Sequence, residues 1–265
     1  MLILLPPSEG KATEGDGPAL DLAGLSLPEV NGVREAVLES LEALCSGPRE
    51  QAVEVLGLSP GQAAAVDRNL ALRTAPTLPA ARLYTGVLYD NLRLGELLAG
   101  PAAARTRDSL LVFSGLWGAV GVDDALPPYR LSMGVKLPPL GALGTYWRPH
   151  LADPVAKRAD GRLIVDCRSS SYAAAYRPSG EAADRTAAVR ILKETVAGGE
   201  VKRSVVSHMA KATRGAIAHT LLREGRAPES PAELAEALND LGHTAELTAP
   251  AKPGRPSTLD VVVRD

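Results

Sequence analysis

Three short apolar runs, each ending where a polar loop begins, limit how this chain can fold. They are Leu2–Leu5, Leu110–Phe113 and Arg162–Val165, the last of which is apolar after its first residue. Continuous apolar runs of this length, stopped by Pro, Gly or polar residues, are typical of strands buried on both faces of a sheet. Aromatic residues make up only 3% of the chain, so the core has to be built from Leu, Val and Ala. A sheet of this kind needs helices to cover it.

Helical periodicity between the first two runs predicts those covering helices. Apolar residues recur at helical spacing after Asn31, a residue that can cap a helix, and Gly47-Pro48 is a stop signal. Two shorter helices follow, up to about Leu72. We expect residues 31–72 to form an N-terminal helical layer that carries much of the acidic charge.

The second half of the chain predicts more strands and helices of the same sheet. We expect a hairpin around Gly198-Gly199 and a helix directly after it, and the stretch that begins at Val205 opens like a buried strand. A capping box at Ser230 starts another helix, and a last strand closes the chain. The predicted bounds are Ala187–Thr195, Val201–Ser207, Met209–Arg223 and Thr258–Val263. The sequence therefore predicts one mixed α/β (α+β) domain over residues 1–265, with a single mixed sheet covered by helices.

Charge is distributed unevenly along the chain. The formal net charge is −2, but residues 101–223 hold 18 Lys and Arg against 10 Asp and Glu, a local excess of +8. A neutral protein with a basic middle can present a positive face to an anion. The same excess also arises if solvated cations fall there by chance, and charge alone does not separate the two interpretations.

Several classes of protein are disfavoured by the sequence. No apolar run approaches the length of about 18 residues that a membrane span needs, and the N-terminal run lacks the features of a secretory signal. We therefore expect a cytoplasmic protein that does not bind membranes. The cysteines, Cys45 and Cys167, form no disulfide framework, and neither Cys nor His occurs at a metal-ligand spacing. We expect neither a metal nor a cofactor.

The polar loops after the strands supply the candidate site. Ligands of open α/β sheets bind beyond the carboxyl ends of the strands. If these loops meet, their hydroxyl groups, backbone N–H groups and cations form a cleft suited to phosphate, next to the positive end of a helix dipole. Each cation could instead pair with an acidic residue or be solvated. The candidate anion- or DNA-binding residues are Ser8, Lys11, Ser114, Gly115, Tyr129, Arg130, Lys136, Ser169, Tyr172, Lys211 and Arg214.

The sequence does not match the other standard catalytic motifs, and no catalytic residue is assigned. Pro6–Lys11 lacks the spaced glycines of a phosphate loop, and no nucleophile elbow supports a Ser/His/Asp triad. The segment around Ser114–Ala119 is like the hairpin of a helix-hairpin-helix element, whose backbone N–H groups contact nucleic-acid phosphates. The competing interpretation is a tight strand-to-helix turn.

Several motifs give the chain a resemblance to the YaaA family of peroxide stress proteins. The most specific are Pro128-Tyr-Arg-Leu-Ser-Met-Gly134 and Lys211-Ala-Thr-Arg-Gly215. Further matching segments are Met1–Leu4, Tyr84-Thr-Gly86, Ser114–Gly118, Tyr146-Trp147 and Ser169–Tyr172. Two places depart from the family pattern. Pro6–Lys11 replaces a Ser-Pro-Ala-Lys stretch, and Ser170-Ser171 stand where relatives commonly carry acidic residues.

The resemblance implies a fold unlike the common superfolds: a twisted sheet wrapped by helices, with a positively charged cleft. It also implies a role in surviving peroxide stress by limiting free iron, and DNA binding through a helix-hairpin-helix element. Two hypotheses follow. In the first, the chain binds duplex DNA with low sequence specificity. In the second, it is an enzyme acting on a small phosphorylated or nucleotide-like substrate. Direct iron binding is a third, weaker idea, because no ligand cluster is present at a suitable spacing.

Overall fold

The computed structural model of the chain describes residues 1–197, 200–205, 208–250 and 252–264. Its strands, in chain order, are β1 Leu2–Leu5, β2 Leu78–Pro79, β3 Leu110–Ser114, β4 Gly118–Val120, β5 Ala125–Leu126, β6 Lys136–Leu137, β7 Gly141–Ala142, β8 Ile164–Asp166, β9 Thr186–Ala197, β10 Glu200–Val205, β11 Thr244–Thr248 and β12 Ser257–Arg264. The helices are α1 Asn31–Ser46, α2 Arg49–Leu56, α3 Ala64–Leu70, α4 Ala80–Leu83, α5 Val87–Leu92, α6 Leu94–Ala99, α7 Ala103–Ser109, α8 Leu143–Ala159, α9 Ser170–Ala173, α10 Glu181–Asp184, α11 His208–Glu224 and α12 Pro231–Asp240.

One large sheet organises the structure, in the order β11-β12-β9-β8-β1-β3-β4, with β10 paired to β9. Its centre is parallel: β1 pairs with β3 on one side and with β8 on the other, and β8, β9 and β12 continue the parallel array. The pairs β3–β4, β11–β12 and β9–β10 are antiparallel. The predicted mixed α/β class is confirmed.

The central strand β1 explains why the N-terminal apolar run is uninterrupted. All four of its residues are fully buried. A strand with parallel neighbours on both edges and helices over both faces has no position where a polar side chain could reach water. The core around it is aliphatic, as the composition requires, and Trp117 and Trp147 are its largest fully buried side chains.

The N-terminal helical layer consists of α1, α2 and α3. Val37, Leu38 and Leu41 form the fully buried face of α1. The prediction that Asn31 caps this helix is wrong by one residue, because Val30 occupies the cap position and Asn31 is already helical. Asn31 instead uses its side chain to donate to the Leu22 carbonyl and to accept from Arg34.

The hairpin of β9 and β10 and the helix after it, α11, match the predicted elements. The turn at Gly198-Gly199 and residues 206–207, including Ser207, lie outside the described residues. The prediction of a buried strand at Val205 is wrong, because β10 is exposed along its length. Its apolar residues Val201 and Val205 face solvent, so their hydrophobicity does not signal burial.

The expected helix-hairpin-helix element is wrong, and so is the competing strand-to-helix turn. Residues 114–119 span the end of β3, a turn at residues 115–117 and the start of β4; these two strands are antiparallel, lie at the end of the sheet and are buried throughout. Ser114 Oγ accepts hydrogen bonds from the backbone N–H groups of Leu116 and Trp117. Those N–H groups are therefore not free to contact nucleic-acid phosphates.

No helix in the described part of the chain is both long enough and apolar enough to cross a membrane.

Candidate functional site

The loops that follow β1 and β8 meet beyond the carboxyl ends of these neighbouring parallel strands. From β1 the sheet grows through β3 in one direction and through β8 and β9 in the other. The order of strands therefore reverses at this point, which is where open α/β sheets form their ligand crevices. A cavity of about 260 Å³ lies there, and we call it the Lys211 cavity. It is lined by Pro6–Gly10, Thr85–Leu88, Ser169, Ser171, Tyr172, Lys211 and Arg214.

Helix α11 brings two cations to this cavity on its first turns. Lys211 is exposed, and no described carboxylate forms an ion pair with it. Arg214 is half-buried and donates from Nη2 to the Val189 carbonyl at 3.2 Å. Its Nε is buried and has no hydrogen-bond partner among the described residues. A buried guanidinium donor without an acceptor costs free energy, so this position favours a ligand that supplies one.

Gly215 allows α11 to approach α5 closely enough to place those cations. A Cβ at this position would lie 2.1 Å from the Leu88 carbonyl oxygen and 3.0 Å from Asn91 Cβ. Any side chain would push the two helices apart and withdraw Lys211 and Arg214 from the loop at Gly86. The Lys-x-x-Arg-Gly motif therefore joins two cations to the glycine that positions them.

A buried ion pair holds the loop after β8 in shape. Arg168 donates from Nε and Nη2 to the two carboxylate oxygens of Asp166 at 2.8 and 2.6 Å. The guanidinium also lies 4.2 Å from the centre of the Phe113 ring and donates to the Tyr172 and Tyr176 carbonyls. These bonds position Tyr172 at the wall of the Lys211 cavity. Burial there raises the pKa of its phenol to about 12. Tyr172 is therefore a neutral hydrogen-bonding group at physiological pH.

Two further cavities adjoin the first. The Lys136 cavity, of about 780 Å³, is lined by residues of α2 and by Arg130, Ser132 and Lys136. The Lys11 cavity, of about 230 Å³, is lined by Gly10, Lys11, Gly61, Gln62, Ala64, Ala65, Arg68, Tyr129 and Arg130. Glu9 lines all three cavities. We call their meeting point the Glu9 junction.

Cations outnumber carboxylates around the Glu9 junction. The three linings contain six cations, and their carboxylates are Glu9 and Glu54. Arg130 pairs with Glu9 at 3.0 Å. The six cations are Lys11, Arg68, Arg130, Lys136, Lys211 and Arg214.

The backbone of Arg130 is fixed by α3. The buried Asn69 side chain accepts from Arg130 N and donates to Arg130 O, both at 2.9 Å. Arg130 Nη1 donates in turn to the Glu9 carbonyl at 2.8 Å. The segment around Arg130 is thereby tied both to the helical layer and to the loop after β1.

Nine of the eleven predicted site residues line these cavities, and the structure places Ser114 and Gly115 elsewhere. Ser114 is fully buried, and its hydroxyl is hydrogen-bonded to the Tyr129 hydroxyl at 2.7 Å. A Cβ on Gly115 would lie 2.7 Å from the Leu131 carbonyl oxygen, so glycine there lets the segment after Arg130 pack against the β3–β4 turn. Both residues support the site from outside the cavity linings and cannot contact a ligand.

The Ser8 hydroxyl is already engaged within its own loop. It donates to the Gly10 carbonyl and accepts from Thr85 N at 3.0 Å. These bonds close the loop after β1 against the turn before α5. Ser8 therefore shapes the Lys211 cavity, and its hydroxyl is not paired with a base that could make it a nucleophile.

Elsewhere in the basic middle segment, many cations pair with neighbouring carboxylates. Examples are Arg107 with Asp123, Arg190 with Asp260, and Arg203 with Glu246. The thiols offer no reactive alternative, because burial raises the pKa of Cys167 to about 12. No group of three or more His, Cys, Asp or Glu side chains that could hold a metal ion occurs among the described residues.

Sequence reasoning missed the residues that join the three cavities. Glu9 stands inside the Pro6–Lys11 stretch, but nothing in the pattern distinguishes it from a surface glutamate. Arg68 lies on α3, and only the packing of the helical layer brings it to the loop after β1. No local signal in the sequence could have identified either residue.

These features define an α/β protein with cation-lined cavities at the carboxyl edge of a mostly parallel sheet. The family model described as "Peroxide stress protein YaaA" matches residues 1–246. A UPF0246 protein of Streptomyces coelicolor is 54% identical over 265 residues, covering 100% of this chain and 99% of its own length. A UPF0246 protein of Corynebacterium efficiens is 39% identical over 269 residues, covering 99% and 100%. The chain belongs to the YaaA family of peroxide stress proteins, which confirms the resemblance.

Proposed function

We propose that this YaaA-family protein binds duplex DNA through the phosphate groups of its backbone, at the Glu9 junction. The observation that supports this best is the meeting of three cavities whose linings hold six cations against two carboxylates. The positively charged cleft implied by the family resemblance would be this junction. Binding would limit iron-dependent oxidative damage by covering the DNA, and it requires no iron site in the protein.

Contacts to phosphate by Lys and Arg carry no sequence information. The tyrosines of the junction, Tyr129 and Tyr172, are both buried, so neither presents an open ring on which a base could stack. We therefore expect low sequence specificity and steep salt dependence. If all six cations engaged phosphates, the logarithm of the binding constant would fall with the logarithm of salt concentration at a slope of about −5.

The test is fluorescence anisotropy of a labelled duplex, titrated with protein between about 50 and 200 mM salt. Arg214→Gln and Lys211→Gln should each weaken binding and reduce the salt slope by about one unit. Arg82→Gln is the control, because Arg82 pairs with Asp16 on the surface and lines none of the three cavities. Undetectable binding at low salt, or an equal loss in the control, would refute the proposal.

A small phosphorylated or nucleotide-like ligand in the Lys211 cavity is the second candidate. The unpartnered Nε of Arg214 favours it, because a compact anion could enter a cavity of about 260 Å³ that a duplex cannot fill. Pro6, Pro7 and Val87 provide apolar walls for the rest of such a ligand. Thermal-shift measurements with inorganic phosphate and nucleoside monophosphates test it: stabilisation that Lys211→Ala abolishes supports this candidate, and no shift with any probe excludes it.

A further inference from the structure

Lys11 stands apart from the other cations of the junction in its surroundings. Its backbone is clamped to the segment before α5 through a bridge with Tyr84 and a hydrogen bond from Ala12 N to Leu83 O at 2.9 Å. Its Nζ donates to the Ser8 carbonyl at 2.7 Å and lies 4.5 Å from the centre of the Tyr129 ring. No described carboxylate forms an ion pair with it.

This environment favours the neutral amine. The pKa of Lys11 is lowered to about 8, mainly by burial; Glu9 opposes this shift, and Arg130 and Arg68 add to it. An ordinary lysine is only about 0.1% neutral near pH 7.5, whereas a lysine with a pKa of about 8 is roughly one-quarter neutral. A neutral, fixed amine facing a cavity is the form in which lysine acts as a nucleophile.

The Lys11 cavity also contains groups that could hold a phosphate beside that amine. Arg68 and Arg130 line the same space of about 230 Å³. Arg130 is paired with Glu9, whereas Arg68 forms no ion pair with a described carboxylate. The cavity therefore places an amine and two guanidinium groups around one small volume.

We propose that Lys11 forms an imine with a phosphorylated aldehyde, held by Arg68 and Arg130 in the Lys11 cavity. The aldehyde could be the ring-opened sugar at an abasic position in DNA or a free sugar phosphate. The abasic source rests on the proposed DNA-binding function, whereas the free source does not.

The reaction is balanced without an added oxidant or reductant. The Lys11 amine adds to the aldehyde carbon, which forms a C–N bond and a carbinolamine. Loss of the carbinolamine hydroxyl, together with a proton from nitrogen, breaks the C–O bond. The products are the imine and one molecule of water.

Borohydride trapping tests the proposal, since it reduces an imine to a stable secondary amine. The full chain is incubated with a duplex carrying one abasic site, with an intact duplex, or with 2-deoxyribose 5-phosphate, and then reduced. We expect a covalent adduct with at least one aldehyde probe and none with the intact duplex. Peptide mapping should place it on Lys11 rather than on the N-terminal amine of Met1.

Two variants make the assignment specific. Lys11→Arg keeps the charge but cannot form the imine, and it should give at least about tenfold less adduct while remaining folded. Lys157→Met removes an exposed lysine on α8 that lines none of the three cavities, and its adduct yield should equal that of the wild type. Circular dichroism and thermal unfolding establish that both variants are folded.

The outcomes separate this inference from the proposed function. Intact-duplex binding without any adduct overturns the inference and leaves DNA binding in place. An adduct on Lys11 with deoxyribose phosphate, in a protein that does not bind duplex, supports the inference and refutes DNA binding. An adduct mapped to another amine, or an equal adduct in Lys11→Arg, overturns the inference.

Discussion

Two arginines of this protein, one fully buried and one half-buried, show how the same side chain serves different purposes. Arg34, on α1, is fully buried and donates to the carbonyl oxygens of Ser26, Leu27, Trp117 and Ala119. It also donates to the Asn31 side chain. Arg214, on α11, makes one hydrogen bond to a carbonyl and leaves a buried Nε unpaired.

The comparison shows that hydrogen-bond partners, rather than charge, distinguish a structural cation from a candidate ligand-binding cation. The guanidinium of Arg34 is surrounded by acceptors that tie α1 to the β3–β4 turn, so it has nothing left to offer a ligand. Arg214 lies at a cavity wall with donor capacity to spare. Three experiments test this comparison, and the size of the expected effect decreases from the first to the third.

The largest effect is expected from replacing each arginine with methionine. Arg34→Met should lower the free energy of unfolding by at least about 3 kcal/mol, because it removes the guanidinium hydrogen bonds to four carbonyl groups in the interior of the α1 contact. Arg214→Met should change it by less than about 1 kcal/mol, because only one hydrogen bond is lost. Urea denaturation followed by circular dichroism measures both values. Equal losses would show that Arg214 is as structural as Arg34.

The next effect concerns the glycine that positions the cations of α11. Gly215→Ala should lower the free energy of unfolding by about 1–3 kcal/mol, since its Cβ would overlap the Leu88 carbonyl oxygen. Gly32→Ala is the matched control, because Gly32 is also helical and a Cβ there meets nothing within 4 Å. That control should be neutral or gain up to about 1 kcal/mol from higher helix propensity. A Gly215→Ala variant as stable as the wild type would contradict the close approach of α11 and α5.

The smallest effect is expected at the junction itself. Glu9→Gln removes the carboxylate shared by all three cavities and should tighten duplex binding about two- to fivefold at constant salt. Glu39→Gln removes an exposed glutamate from α1 as a control for net charge and should have a smaller effect. Anisotropy titrations measure both. Weaker binding by Glu9→Gln would mean that the ion pair with Arg130 matters more than repulsion of the anion.

Much of the fold follows from local patterns. The apolar run Leu2–Leu5 forms the central strand with the predicted bounds, and the capping box at Ser230 starts α12 as expected, with Ser230 Oγ accepting from Glu233 N. Such signals work because they depend on neighbouring residues alone. They fail where the deciding partner is distant: the run through Val205 has the composition of a buried strand, but no element covers β10.

In the candidate site, too, some features follow from local sequence patterns and others depend on contacts between distant segments. The order of residue types established that polar loops follow buried strands, and parallel pairing then requires those loops to lie at one edge of the sheet. The lining of the cavities depended on contacts between segments far apart in the chain. Tertiary packing places Ser114 in the interior beneath the site and brings Arg68 to the loop after β1. It also leaves Arg214 Nε without an acceptor among the described residues. Which polar groups find partners is decided only when the whole chain has folded, because burial and hydrogen bonding are properties of the assembled neighbours.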